Sequence, residues 1–445
     1  VLSHRLQAPL LAAVAGIAAL VSFAGARLQR RIAPVSAEAL ATAALASALT
    51  GAFLVLHSLL AGPAAAPGGR PLLEAALRTD LLLAVGLMLA FRAVETHGRI
   101  GRWRLIVVVA LGAVQGLLVQ GLILNPWWGF GEAPAGPPLF DTLALDYLAP
   151  ALLLAVIAVR TLPVTAVGAR LAAVAAFGSG LIWAMLEIRR LAHGPDLRSG
   201  IVERPEGAGF GVVLLLAALG LAWLKRRRDA RASAAGYLAA IAQPFAWVAL
   251  GLATLALCLH ASPWWGPIAD PLDGPGEAAA IFATIALGAG ATFALAASAR
   301  RDGWPASPQA ATGAGVADLF VLTTLLVRWL FHGEAMRAPV RAAGAETWTF
   351  SATWALFGLA VLVAGGVRRD VTLRWCGLVV LIGTVLKVLL FDMSRLDGAV
   401  RAGSFLAVGA LLVAGAILAR RLNADSAAFF RLRRSPPASP PPEGA

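Results

Sequence analysis

Thirteen apolar stretches dominate the chain, at 9–25, 39–61, 73–91, 105–124, 142–159, 168–188, 208–224, 236–259, 278–298, 312–331, 349–366, 372–391 and 399–419. Wound as an α-helix, a run of about 20 apolar residues spans the hydrocarbon core of a bilayer. A helix on a soluble protein would carry a one-sided apolar stripe instead. Composition agrees. Of 445 residues 59% are hydrophobic and 14% charged, against about 25% charged in a soluble domain, too few to coat a soluble surface. The expected fold is an all-α polytopic integral membrane protein with about thirteen transmembrane helices.

The net charge of +13 invites a nucleic-acid reading, but the arginines sit in short loops between apolar blocks. That placement is the signature of membrane orientation, so no nucleic-acid partner is expected. Of the 37 Lys and Arg residues, 24 fall on the side of the loops after odd-numbered spans and 13 on the other; acidic residues run the opposite way. The first side is therefore expected to be cytoplasmic. Lys225-Arg226-Arg227-Arg228 is its strongest anchor, read as a topology determinant or as an anionic-lipid contact. The tail beyond Arg420 ends in SPPASPPPEGA and is expected to be disordered and cytoplasmic. Val1 falls outside, as expected of a chain that follows further spans. The block from Pro9 to Gly25 reads as a span, not a cleaved signal. Cys258 and Cys376 fall near opposite ends of their spans, so no disulfide is expected.

The sequence also repeats. Asn125-Pro126-Trp127-Trp128-Gly129 returns as Ser262-Pro263-Trp264-Trp265-Gly266, and His193-Gly194-Pro195-Asp196-Leu197-Arg198 as His332-Gly333-Glu334-Ala335-Met336-Arg337. Two unrelated motifs share nearly one offset, which points to internal duplication. Leu59-Leu60-Ala61-Gly62-Pro63 is a weaker upstream copy, and Phe391-Asp392-Met393 stands where a third Trp pair would be. The expected division is a first helix and loop over 1–38, four-helix repeats over 39–160, 161–299 and 300–420, and the tail 421–445. An even helix number keeps the copies parallel.

Leu373-Arg374-Trp375-Cys376-Gly377, Lys387-Val388-Leu389-Leu390-Phe391-Asp392 and Gly403-Ser404-Phe405-Leu406 carry a family resemblance. So do Arg328-Trp329-Leu330-Phe331-His332-Gly333 and Glu346-Thr347-Trp348-Thr349-Phe350-Ser351. Together they resemble the bacterial family catalogued as domain of unknown function 2339, made of predicted polytopic membrane proteins. The resemblance implies a multi-pass protein of the bacterial cytoplasmic membrane. It brings no activity, cofactor or catalytic residue. Members are usually longer, with extra spans and often a polar or coiled region ahead of them.

Candidate site residues collect on the outer face. One group comprises Glu187, Arg189, Arg190, His193, Asp196, Arg198, Glu203, Arg204 and Glu206; a second comprises Arg328, His332, Glu334, Arg337, Arg341 and Glu346. Outer arginines run against the charge trend. They either tie loops together through carboxylates or contact a phosphate or carboxylate ligand. Lys387 lies near the outer end of span 12, with Asp392 or Glu346 as expected partners, in a structural pair or an ion or proton relay. Asp80, Asp146 and Asp318 fall inside or near spans and are expected to face the bundle interior. Trp127, Trp128, Trp264 and Trp265 read as interfacial anchors or as a sugar-stacking platform. Gly112 and Gly116 form a GxxxG for close helix packing.

Walker A, GxSxG, HExxH and CxxC motifs are absent. His57, His193, His260 and His332 fall near the outer face without metal-ligand spacing. No metal or cofactor is expected. The leading expectation is a non-enzymatic carrier or scaffold of the cell envelope. Its partner, beyond the bilayer itself, is an anionic lipid or lipid-linked glycan held at the outer face. Two alternatives stay open: a membrane glycosyl- or acyltransferase using a lipid-linked donor, and an ion-coupled transporter.

Overall fold

A computed structural model describes residues 2–60, 70–93, 99–128, 132–198, 200–227, 232–263, 274–333, 336 and 344–392, with isolated positions beyond. Among them every regular element is a helix, and eleven helices are long and apolar enough to cross a membrane. Each of the eleven overlaps one of the expected stretches. The other two expected spans fare differently. The stretch 73–91 does form a helix, but its charges, Glu74, Arg78 and Asp80 in the first half with Arg92 near the end, keep it outside the eleven. The stretch 399–419 lies almost wholly outside the described residues.

The chain divides into two compact units, Val1–Ala261 with Ala297–Pro308, and Ser262–Ala296 with Gln309–Ala445. The first unit contains α1 (Leu2–Gln29), α2 (Pro34–Leu60), α3 (Pro71–Ala93), α4 (Arg99–Val114), α5 (Ala149–Thr161), α6 (Ala166–His193), α7 (Arg204–Lys225) and α8 (Gly236–Leu255). Three of these widen into π-helix: α4 runs on through Gln115–Ile123, α8 through Ala256–His260, and α5 is preceded by Ala144–Leu148. Sequence neighbours pack in pairs, α1 on α2, α3 on α4, α5 on α6 and α7 on α8, with α3 also on α5 and α6 on both α7 and α8.

Small residues make this packing. Lipid tails are as apolar as leucine, so helix association in a bilayer comes from close van der Waals approach rather than apolar burial. The main core accordingly sets Leu83, Leu154 and Ile157 against Ala158, Ala169, Ala172 and Ala175. Leu152, Val156 and Val159 on the other side of α5 stay exposed, as side chains solvated by lipid would. Gly112 shows why the α4 GxxxG holds small residues. A Cβ there would lie 2.7 Å from Cδ2 of Leu83 on α3.

At the expected cytoplasmic end of this unit, Arg226 bonds the Ser298 hydroxyl at 2.5 Å and pairs with Asp302 at 3.5 Å. Lys225 lies over the Trp304 ring and Arg227 over that of Trp223. Protein contacts thus engage these three members of the basic run. Arg228 lies outside the described residues.

The second unit contains most of α9 (Pro275–Arg301) and α10 (Ser307–His332), with α11 (Gly344–Val367) and α12 (Val371–Lys387). A π-turn, Val388–Asp392, follows α12. Asp370 caps α12, its carboxylate accepting from the amides of Thr372 and Leu373. α11 and α12 cross backbone to backbone at Gly358 and Gly377. A Cβ on Gly377 would lie 2.6 Å from the amide nitrogen of Leu362 and 2.8 Å from the Gly358 carbonyl.

Candidate functional site

Among the described residues the two groups expected on the outer face lie mostly at helix ends; Glu334, Arg337 and Arg341 lie outside the described residues. Arg189 and His193 stand one turn apart at the end of α6, and Glu206 sits in the first turn of α7. The i, i+4 spacing puts guanidinium and imidazole on one face, and the following loop brings the glutamate back to them. Arg189 Nη1 donates to Glu206 Oε1 at 2.8 Å, and His193 Nε2 meets Oε2 at 2.9 Å. The Glu203 amide donates to the same Oε2 at 3.0 Å. Arg189 Nε donates to the Leu197 carbonyl at 2.6 Å, which fixes the loop. The Arg189 and Glu206 side chains are 1% and 0% exposed.

The second unit carries the same arrangement. Arg328 Nη1 donates to Glu346 Oε1 at 2.7 Å and His332 Nε2 meets Oε2 at 2.7 Å. Arg328 Nε reaches the Met336 carbonyl at 3.4 Å. Again arginine and histidine end one helix, α10, and the glutamate opens the next, α11. A looser version joins α2 to α3, where His57 Nδ1 meets Glu74 Oε1 at 3.1 Å. Phe53 occupies the place one turn before that histidine. The guanidinium comes from the other helix, from Arg78, which pairs with Glu74 and lies over the Phe53 ring.

In each case the carboxylate sits at a helix N-terminus, where the helix dipole favours negative charge. In the two tight clusters both carboxylate oxygens are engaged. Buried charges held this way are stable because every partner is present. These clusters act as locks between consecutive helices.

Arg190 and Glu187 extend the first lock. Arg190 pairs with Asp141 at 2.8 Å and also bonds the Gly136 carbonyl. Glu187 accepts from the Leu139 amide at 3.1 Å. Trp127 lies under Arg189, ring to guanidinium 4.6 Å, and against Phe210. It belongs to a buried group with Leu143, Tyr147, Leu186 and Leu197. Trp128 is about half exposed and hydrogen-bonds the Leu122 carbonyl, as an interfacial indole would. Trp264, Trp265 and Arg337 lie outside the described residues, as does the side chain of Asp392. In the second unit Lys387 Nζ donates to the Thr347 carbonyl at 3.1 Å and the Ser351 hydroxyl at 2.6 Å, beside the Trp354 ring. Glu346, one of its expected partners, is shared by Arg328 and His332.

Over residues 230–422 the chain matches the DUF2339 family, described as a predicted membrane protein. No curated protein and no solved structure matches it. The DUF2339 segment contains the Arg328–His332–Glu346 lock and Lys387, so the resemblance carried by those residues holds. The Arg189–His193–Glu206 lock lies ahead of the matched segment.

One recess opens beside that first lock. It has a volume of about 310 Å³ and is lined by Pro126, Glu132, Pro134, Pro195, Asp196 and Arg198, among others. Both Glu132 oxygens accept backbone amides, from Leu72 and Leu73 at 2.9 Å. Asp196 accepts the Arg198 amide at 3.2 Å. Arg198 itself is exposed. Glu132 and Asp141 were not singled out from sequence. Each meets its partner across about 50–60 positions of chain, and no local pattern announces such a pairing.

Proposed function

We propose that the chain is a non-enzymatic carrier or scaffold of the bacterial cytoplasmic membrane, with its C-terminus inside. It is assembled from parallel four-helix repeats and holds an anionic or lipid-like partner at its outer face. The supporting observation is the recess at Pro126, Pro195 and Arg198. Its proline-rich wall offers apolar surface. Arg198, exposed in its lining, carries the guanidinium fork that suits phosphate or carboxylate. The repeat reading is supported by the geometry of the locks. Arg189, His193 and Glu206 make the same contacts as Arg328, His332 and Glu346.

An acid–base role draws little support from either lock. His193 and His332 each direct Nε2 to a glutamate that an arginine also holds. The test is lipid retention. The full chain purified in mild detergent is expected to carry bound anionic lipid detectable by native mass spectrometry. Arg198→Ala should weaken that binding about tenfold, the order of one lost charge-assisted contact, with the melting temperature unchanged. Arg337→Ala is expected to weaken it as well. Equal lipid occupancy in wild type and both variants would refute the proposal.

A further inference from the structure

The N-terminal unit holds a second polar site, deep among its helices. α3, the π-helix at the end of α4 and the π-turn ahead of α5 all touch one another. On them lie three buried polar residues, Thr79, Gln120 and Asp146, each no more than 1% exposed. Asp80 follows Thr79 on α3. Five shielded atoms of this group find no hydrogen-bond partner among the described residues: Thr79 Oγ1, Asp80 Oδ1, Gln120 Oε1 and Nε2, and Asp146 Oδ1.

Thr79 and Gln120 meet beside Gly116. A Cβ built on Gly116 would lie 3.4 Å from Thr79 Cγ2 and 3.5 Å from Gln120 Oε1, so both flank the same glycine notch. Tyr147 brings the α5 segment against the π-helix, its hydroxyl donating to the Gln120 carbonyl at 2.8 Å. Asp146 precedes it and lies within electrostatic range of Asp80, Asp141 and Glu132. Of these acids, Asp141 pairs with Arg190 and Glu132 accepts two amides. Asp80 and Asp146 form no ion pair among the described residues.

Four of the five unpartnered atoms are oxygens, and two belong to carboxylates. Such a set has far more acceptor than donor capacity and calls for positive charge. Carboxylate, amide and hydroxyl oxygens are the ligands of hard cations. Ionisable residues inside a bundle and π-segments within helices both mark ligand sites. Irregular backbone at membrane depth is tolerated where it lines a cavity, and interrupted helices supply ion sites in carriers. Only one of the two carboxylates is fully buried, which favours a single positive charge over a divalent ion.

We propose that Asp146, Gln120 and Thr79, with Asp80 at the edge, form a binding site for a monovalent cation of the sodium class. The site is separate from the Arg198 recess and stands or falls independently of lipid retention there.

The experiment uses the full chain in nanodiscs, with radioactive sodium in a scintillation proximity assay and thermal melting in sodium against choline chloride. Wild type is expected to bind sodium saturably and to melt higher as sodium rises. Asp146→Asn and Gln120→Ala should each weaken binding about tenfold or more, the scale of one lost ligand. Thr79→Val removes a hydroxyl with little change of volume and should weaken it measurably even if the other two variants fail to fold. Asp318→Asn alters a buried carboxylate of the other unit, hydrogen-bonded to Thr292, and should leave binding unchanged. Absence of sodium binding in wild type overturns the proposal. Undiminished binding in folded Asp146→Asn or Thr79→Val does the same. Wild type indifferent to sodium, potassium and lithium, with Asp146→Asn melting higher, would mean a carboxyl neutralised by a proton, and that too overturns it.

Discussion

Among the described residues Arg189 and Arg328 are among the largest fully buried side chains, and each pairs with a glutamate. Removing that glutamate leaves the buried guanidinium without its carboxylate. Breaking a buried pair from one side costs about 3–5 kcal/mol. Glu206→Ala and Glu346→Ala should therefore each lower stability by about that amount in thermal melting or detergent titration. The double change Arg189→Met with Glu206→Leu removes both charges and should recover most of the loss. A Glu206→Ala protein as stable as wild type would show that the lock contributes nothing. The residue types of the locks were legible from sequence, because outer arginines run against the charge trend. Their use was not, because a short spacing between arginine, histidine and glutamate fits a ligand site and a closed ion pair equally well. The distances add that both glutamate oxygens of each cluster meet an arginine or a histidine.

At the scale of the element, helix contact rests on missing side chains. The α11–α12 crossing brings Gly377 so near the Leu362 backbone that no Cβ fits. Gly377→Leu should cost at least the 1–3 kcal/mol typical of overpacking, since the obstacle is backbone and cannot rotate aside. Gly251→Ala on α8 meets nothing within 4 Å and should leave thermal melting unchanged. Equal melting of both variants with wild type would mean that the crossing is looser than described. Helix positions were legible because apolar length alone defines them. The π-segments were not, since Gln115–Ile123 and Ala256–His260 are as apolar as the α-helices they extend. α3 shows the opposite limit. Its apolar second half reads as a span, while Glu74 and Arg78 in its first half serve contacts that emerge only on folding.

For the whole molecule, we propose a single orientation for the eleven described membrane-length helices. On this proposal the locks and the Arg198 recess face outward and the basic turns around Arg226 and Arg369 face inward. The charge count predicts this orientation from the sequence alone, because it rests on lysine and arginine bias. Cysteine accessibility in intact cells tests it most directly. With Cys258 and Cys376 replaced by serine, single changes Arg198→Cys, Gly333→Cys, Arg227→Cys and Arg369→Cys are exposed to a membrane-impermeant maleimide. The account predicts that positions 198 and 333 react in intact cells, and that 227 and 369 react only after the membrane is opened. Reaction of 198 and 227 from the same side, or of 198 and 333 from opposite sides, would contradict it.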